Sequence, residues 1–262
     1  MNYKNKKKNH DYWLSRLKEK NSNEVCTNDY FFDQIESDFL ISKLRQKSSV
    51  LEIGCGNGML YEKIAEEKKP TFYIGTDFVQ ELIDECNLKL KNKCHQFVTL
   101  DMTKIKVNSF NRKFDFIISK RALQNVLCSK IQLDVIDNIG KFLNKNGKMI
   151  LLESSKTAQS EINKERKKYN LDKITPPFHN LFLNDCNIKK FNFKNVLLKD
   201  IIPFASDFYY LTRVFYARYA KEFLNNPPDT NHPLYKIALT MKGDCVTSKF
   251  SQIQAYIFEK KR

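Results

Sequence analysis

The chain has 262 residues, 42% of them hydrophobic and 13% aromatic, which supplies a packed core and excludes an intrinsically disordered chain. Lys and Arg number 45 against 30 Asp and Glu, and the resulting charge of +15 attracts anions; in a chain this rich in Lys, Asn and Ile it selects no partner. No run of about 18 uncharged apolar residues occurs, no apolar stretch follows the basic start, and seven scattered cysteines form no C-x-x-C pair. A membrane span, a secretion signal and a disulfide framework are therefore not expected, and a reducing cytoplasmic address is. Cys94-His95 is the one Cys/His neighbour pair, and without further ligands beside it no metal site is expected.

From Asp11 to Leu44 apolar residues recur at three- and four-residue steps, broken by the polar stretch 21–24, which predicts two helical pieces ahead of the core. Val50 to Ile53 is a short apolar strand that stops at Gly54, and Met59 to Lys68 follows with helical spacing. The alternation continues as strand Thr71 to Thr76, helix Gln80 to Leu90, strand Gln96 to Leu100, strand Phe114 to Ser119, helix Gln132 to Leu143 and strand Lys148 to Glu153. Strand–helix units of this length predict parallel strands with right-handed crossovers. Residues 155–190 are polar and contain Pro176-Pro177, Asn195 to Pro203 reads as a strand, Phe204 to Leu224 as an aromatic helix, and Ile253 to Glu259 as a last strand. Seven strands and no Gly/Ser linker point to one domain.

Three glycines at alternate positions join the first strand to its helix in Glu52-Ile53-Gly54-Cys55-Gly56-Asn57-Gly58. Glycine permits positive φ and lets a ligand lie against the main chain at the carboxyl edge of a sheet. A dinucleotide fingerprint, G-x-G-x-x-G, aims a helix N-terminus at a pyrophosphate. G-x-G-x-G preceded by an acid suits a ligand that has an ammonium group and no phosphates. S-adenosylmethionine has that chemistry.

Here the sequence resembles the class I S-adenosylmethionine-dependent methyltransferases, and the resemblance spans about residues 47 to 155. It implies an α/β fold: a Rossmann-like, seven-stranded mixed sheet with N-terminal helices and a helical lid. Residues 1–46 would be a helical preface, 47–154 the cofactor-binding core, 155–190 and 204–250 lid insertions over the acceptor, and 251–262 the terminal strand. The implied cofactor is S-adenosyl-L-methionine, with S-adenosyl-L-homocysteine as product. By resemblance, Gly54, Cys55, Gly56 and Gly58 border the methionine moiety and Glu52 orients its ammonium. Asp77 in Ile74-Gly75-Thr76-Asp77-Phe78 takes both ribose hydroxyls, and Phe78 packs on adenine. In Thr99-Leu100-Asp101-Met102 the acid takes the adenine amino group and the Met102 amide a ring nitrogen; Ser119 ends the strand beneath the methyl. Tyr12-Trp13-Leu14-Ser15-Arg16 resembles a Y-W-x-x-R opening whose arginine meets the methionine carboxylate.

The acceptor is less marked. An [N/D]-P-P-[Y/F] tetrad, usual in enzymes that methylate base amines, is absent after the fourth strand, and Asn225-Asn226-Pro227-Pro228-Asp229 reads as a turn. Candidate acceptor-binding residues are Arg121, Gln124, Asn125, Tyr210 and Arg213, the arginines suiting phosphate or carboxylate. His179 is the first candidate for a catalytic base, because imidazole titrates near neutral pH, and His232 the second. The lid segments resemble those of methyltransferases from bacterial surface-polysaccharide clusters, which implies O-methylation of a small anionic metabolite such as an activated or phosphorylated sugar or a phosphoramidate. An RNA or protein methyltransferase using the basic face, and a non-catalytic cofactor-binding partner subunit, are the alternatives.

Overall fold

In a computed structural model, residues 3–19, 25–90, 95–226, 228–241, 243 and 250–261 are described; the polar stretch 21–24, Cys94 and Pro227 fall outside them. Two helices precede the sheet, α1 (Tyr3–Glu19) and α2 (Tyr30–Lys43). Asp29 caps α2 by accepting from Phe32 N at 3.0 Å, which satisfies one of the free amides of the first turn. The core follows as β1 (Ser49–Ile53), α3 (Met59–Lys68), β2 (Phe72–Asp77), α4 (Gln80–Lys89), β3 (His95–Thr99), β4 (Phe114–Lys120), α5 (Ser129–Ile139) and β5 (Leu143–Ser154). Beyond it lie α6 (Lys156–Lys168), α7 (Asp185–Lys190) and β6 (Val196–Pro203). A helical stretch over 206–224 then consists of α8 (Ser206–Tyr210) and α9 (Tyr216–Tyr219), each followed by a π-helical turn. Helix α10 (Pro233–Thr240) and strand β7 (Ile253–Lys260) complete the chain.

The seven strands form one sheet in the order β3-β2-β1-β4-β5-β7-β6, with β7 antiparallel to both its neighbours. Strand alternation sorts the apolar residues onto two faces. Val50, Ile118 and Leu152 pack with Phe32 and Leu40 of α2 and Ile64 of α3. Leu51, Ile117 and Leu151 pack on the other side with Val135 and Ile136 of α5. Covered on both faces, the inner strands read as continuous apolar runs. Because the order reverses at β1, the connections leaving β1 and β4 diverge, which opens a crevice at the carboxyl edge where such sheets bind ligands.

At the junction of α5 and β5, two element boundaries differ from the periodicity. The helix expected to reach Leu143 stops at Ile139, and Leu143 instead starts β5, paired with Phe114. A Cβ at Gly140 would lie 2.3 Å from Val196 Cγ1, so close packing of that turn on β6, more than helix propensity, ends α5. Strand β5 is correspondingly longer than the run Lys148 to Glu153.

Candidate active site

The glycine turn after β1 has the backbone its composition demands. Gly54, Gly56 and Gly58 all have positive φ, at 75°, 54° and 82°. A Cβ on Gly54 would fall 2.1 Å from Ala122 Cβ, and one on Gly56 would fall 2.4 Å from Cys26 Sγ. The missing side chains thus let the end of β4 and the 25–29 segment close onto the turn. Gly58 faces Leu90 and Cys86 instead, so it shapes the start of α3 and does not border the crevice.

Asp77, at the end of β2, is clamped by main chain: Oδ2 accepts from Gly56 N and Oδ1 from Val79 N, both at 3.0 Å. Burial raises its pKa above the ordinary carboxylate value, while the Val79, Gly56 and Phe78 amides pull it down. A carboxylate has about four lone-pair sites, so Asp77 keeps accepting capacity beyond these amides for a ligand hydroxyl. Asp101 is held by Thr103, whose N and Oγ1 donate to Oδ1 at 3.0 and 2.8 Å.

These groups line a cavity of about 320 Å³ at the sheet's carboxyl edge. Gly54, Gly56, Asp77, Phe78, Asp101 and Met102 form one wall, with Leu82 and Leu100 adding apolar surface. Arg16, Arg121, Gln124, Asn125 and His179 also line it, so most of the residues singled out in the sequence converge there. Glu52 lies lower, buried under the turn with the Tyr73 hydroxyl donating to its Oε2, and burial pushes its pKa up to about 7. With Cys55 it borders a separate space of about 40 Å³, room for one or two waters, that shares Cys26, Thr27, Gly54 and Gly56 with the main cavity.

The facing wall comes from far along the chain. Asn9, Tyr12, Trp13 and Arg16 of α1 meet Pro177, His179 and Asn180 of the loop between α6 and α7. Tyr12 stacks on His179 at 4.1 Å, and Trp13 Nε1 donates to Asn125 Oδ1 at 3.3 Å. Asn9 Nδ2 donates to Asn125 O at 3.0 Å and to His179 O at 3.4 Å. Arg16 is anchored by donation to Val25 O at 2.6 Å and Thr27 O at 3.3 Å.

Four expectations are corrected by packing. Arg213 does not line the cavity: it pairs with Asp29 at 2.5 Å and donates to Tyr235 Oη at 2.6 Å, because the 206–224 helix packs its aromatics into α2 and α10. Tyr210 is also off the cavity, stacked on Phe250 at 5.6 Å. Ser119 is buried behind the wall, donating to Glu153 Oε1 at 3.2 Å. His232 likewise sits away from the cavity, accepting from Leu234 N at the start of α10. The reason given for His179 also changes, since burial and the nearby Arg16 charge lower its pKa to about 4, so it is neutral well below pH 7.

Other contributors lacked a spacing signal. Glu153 accepts from Leu123 N at 2.8 Å and Gln124 N at 3.0 Å, pinning the turn after β4 to β5; an acid directly after the apolar run Ile150-Leu151-Leu152 is the trace it leaves in the sequence. Lys120 and Asp29 line the cavity as well. Asp33 accepts from Lys120 Nζ at 2.8 Å and pairs with Arg121 at 3.2 Å, while Arg121 Nε reaches Glu36 Oε2 at 3.1 Å. Among the described residues no His/Cys/Asp/Glu group is arranged to hold a metal, and no helix is long and apolar enough to cross a membrane.

A reversing parallel sheet, a three-glycine turn and carboxylates at consecutive strand ends define a class I methyltransferase fold. The chain belongs to the methyltransferase domain family, whose model matches residues 44–201, and it is an S-adenosylmethionine-dependent methyltransferase. Solved structures agree on the architecture. Phosphoethanolamine N-methyltransferase 1 of Haemonchus contortus, solved with phosphoethanolamine and S-adenosylhomocysteine, has 13% identity and a TM-score of 0.58 over 99% of this chain and 50% of its own. The N-methyltransferase NodS of Bradyrhizobium japonicum WM9, with S-adenosylhomocysteine, has 13% identity and a TM-score of 0.57 over 96% and 99%. Magnesium protoporphyrin IX methyltransferase of Synechocystis PCC 6803, also with S-adenosylhomocysteine, has 13% identity and a TM-score of 0.56 over 96% and 94%. At this identity the likeness defines the fold and brings no substrate with it. No curated protein matches the sequence.

Proposed function

We propose that this enzyme methylates an oxygen, or with lower preference a nitrogen, of a small anionic metabolite. The observation that carries this reading is the double-walled cavity: at about 320 Å³ it is at the small end of ligand pockets, roughly 300–1,000 Å³, and α1 with residues 177–180 covers the sheet edge. Such a cover favours a compact acceptor over a nucleic-acid strand. The donor supplies an electrophilic sulfonium methyl group. Asp77 has accepting capacity left to hold its ribose hydroxyls, Asp101 and the Met102 amide the polarity to read adenine, and Arg16 the charge to meet its carboxylate.

Lys120 and Arg121 are the cations available to an acceptor anion on the β4 side, and their pairing with Asp33 and Glu36 fixes their positions. In this reading His179, which lines the cavity, accepts the proton of a hydroxyl. With its pKa lowered to about 4 it is a weak base that is always unprotonated near pH 7, so it acts late, as the hydroxyl becomes acidic during attack. An activated or phosphorylated sugar of surface-polysaccharide synthesis fits this combination of anion and hydroxyl. The test is transfer of labelled methyl to a panel of nucleotide sugars, phosphorylated sugars, bulk RNA and protein. Label in a sugar phosphate supports the reading, whereas label in RNA or protein alone, or cofactor binding with no turnover, overturns it.

A further inference from the structure

Three polar atoms in the cavity's covering wall are buried without a hydrogen-bond partner among the described residues: Asn9 Oδ1, His179 Nδ1 and Asn180 Oδ1. Asn9 is only 2% exposed and His179 7%. They are neighbours, since Asn9 Nδ2 donates to His179 O and Asn180 follows directly in the chain. The orientation of the Asn9 amide is fixed: its NH₂ end serves two carbonyls, Asn125 O and His179 O, which leaves Oδ1 as an unsatisfied acceptor. Buried polar atoms are paired in the great majority of cases, so three orphans along one seam require a cause.

Two of the orphans, the amide oxygens of Asn9 and Asn180, only accept, and His179 Nδ1 joins them in the tautomer protonated at Nε2. A phosphate or carboxylate brings acceptors and satisfies neither amide oxygen. An ammonium brings donors but meets the positive charge of Arg16 on the same wall. Hydroxyl groups bring donors without charge. Building on the proposed methyltransferase reading, we infer that Asn9, His179 and Asn180 form a hydroxyl-reading subsite for a polyhydroxylated acceptor, whose anionic group is left to Lys120 and Arg121 across the cavity. Asn9 is then a specificity-determining residue that no motif in the sequence marks.

The test is calorimetry on the full chain saturated with S-adenosylhomocysteine, with inorganic phosphate, glycerol 3-phosphate, glucose 1-phosphate and 2-aminoethyl phosphate as probes. Hydroxylated probes are expected to bind at least about tenfold more tightly than inorganic phosphate, and Asn9→Leu to remove that gain while S-adenosylhomocysteine affinity stays within about threefold. His179→Phe keeps a ring against Tyr12 and deletes the orphan nitrogen, so it is expected to lose the gain while the melting temperature of the free protein holds or rises. A gain that survives Asn9→Leu, a preference for 2-aminoethyl phosphate over glycerol 3-phosphate, or no gain with any hydroxylated probe overturns the subsite. A lower melting temperature in His179→Phe with the gain intact assigns that ring a structural role and overturns it too. Failure of S-adenosylhomocysteine itself to bind is a separate result, which overturns the methyltransferase reading and this inference with it.

Discussion

The two walls of the cavity are built by different means. On the sheet side the groups lie at the ends of consecutive parallel strands, and main-chain amides position them, as Gly56 N and Val79 N do for Asp77. On the covering side, single side chains bridge segments 112 residues apart at Trp13–Asn125 and 170 apart at Asn9–His179. Distorting the first wall means distorting the sheet. The second is joined by a few side-chain bonds and a ring stack, so it opens at lower cost. A rigidly positioned donor wall and a more easily opened covering wall therefore share one cavity.

That contrast is open to attack, beginning with the rigid wall. Gly54→Val adds a branched side chain at φ 75° against Ala122, and is expected to cost about 4 kcal/mol from left-handed strain plus overpacking, read by urea unfolding. A tolerated valine would mean the turn is not the fixed element. Arg213→Ala leaves Asp29 without its ion-pair partner and is expected to lower stability by about 3 kcal/mol. An unchanged unfolding curve with a raised acceptor KM would restore Arg213 to the acceptor site. Asp77→Ala is expected to weaken S-adenosylhomocysteine binding by about 1.5–3 kcal/mol in calorimetry, with stability changed less; equal affinity removes Asp77 from the donor site.

Buried carboxyls sharpen the comparison further. Burial pushes both Glu52 and Glu153 up to about 7 from the usual 4.5. Between those values the folded chain holds a proton that the unfolded chain has released, so stability falls as pH rises through the window. Asp33 and Asp115 act in the opposite sense, since their lowered pKa values favour folding until acid protonates them below the usual 3.8. Melting temperature is therefore expected to decline from about pH 5 to about pH 8, and Glu52→Gln to flatten part of that slope. A slope untouched by Glu52→Gln would mean that the carboxyl beneath the turn does not titrate there. The smallest effect belongs to the latch: Trp13→Phe deletes the bond to Asn125 and is expected to cost about 1 kcal/mol, seen as faster S-adenosylhomocysteine release in stopped flow.

The same contrast explains what was legible. Gly54, Asp77 and Asp101 were readable because each follows a short apolar run at a strand end, and a parallel sheet delivers successive strand ends to one edge. Arg213 was misplaced because an amphipathic aromatic helix looks alike whether its face fills a core or a pocket; only contact with Phe32, Tyr235 and Asp29 separates the two. Asn9 was invisible, since an asparagine near a basic N-terminus has no periodic signature, and its role depends on two carbonyls over a hundred residues away.

Local chemistry in the sequence determined the alternation of strands and helices, the glycine turn, the strand-end carboxylates and thereby the methyl donor. Backbone conformation and burial periodicity are short-range properties written in neighbouring residues. Tertiary structure alone decided that Arg213 pairs with Asp29 away from the cavity while Lys120 and Arg121, held by Asp33 and Glu36, line it, how far His179 is driven from neutral titration, and which segments cover the donor. Electrostatics and desolvation depend on what burial brings within a few ångströms, and that is set by the packing of distant segments.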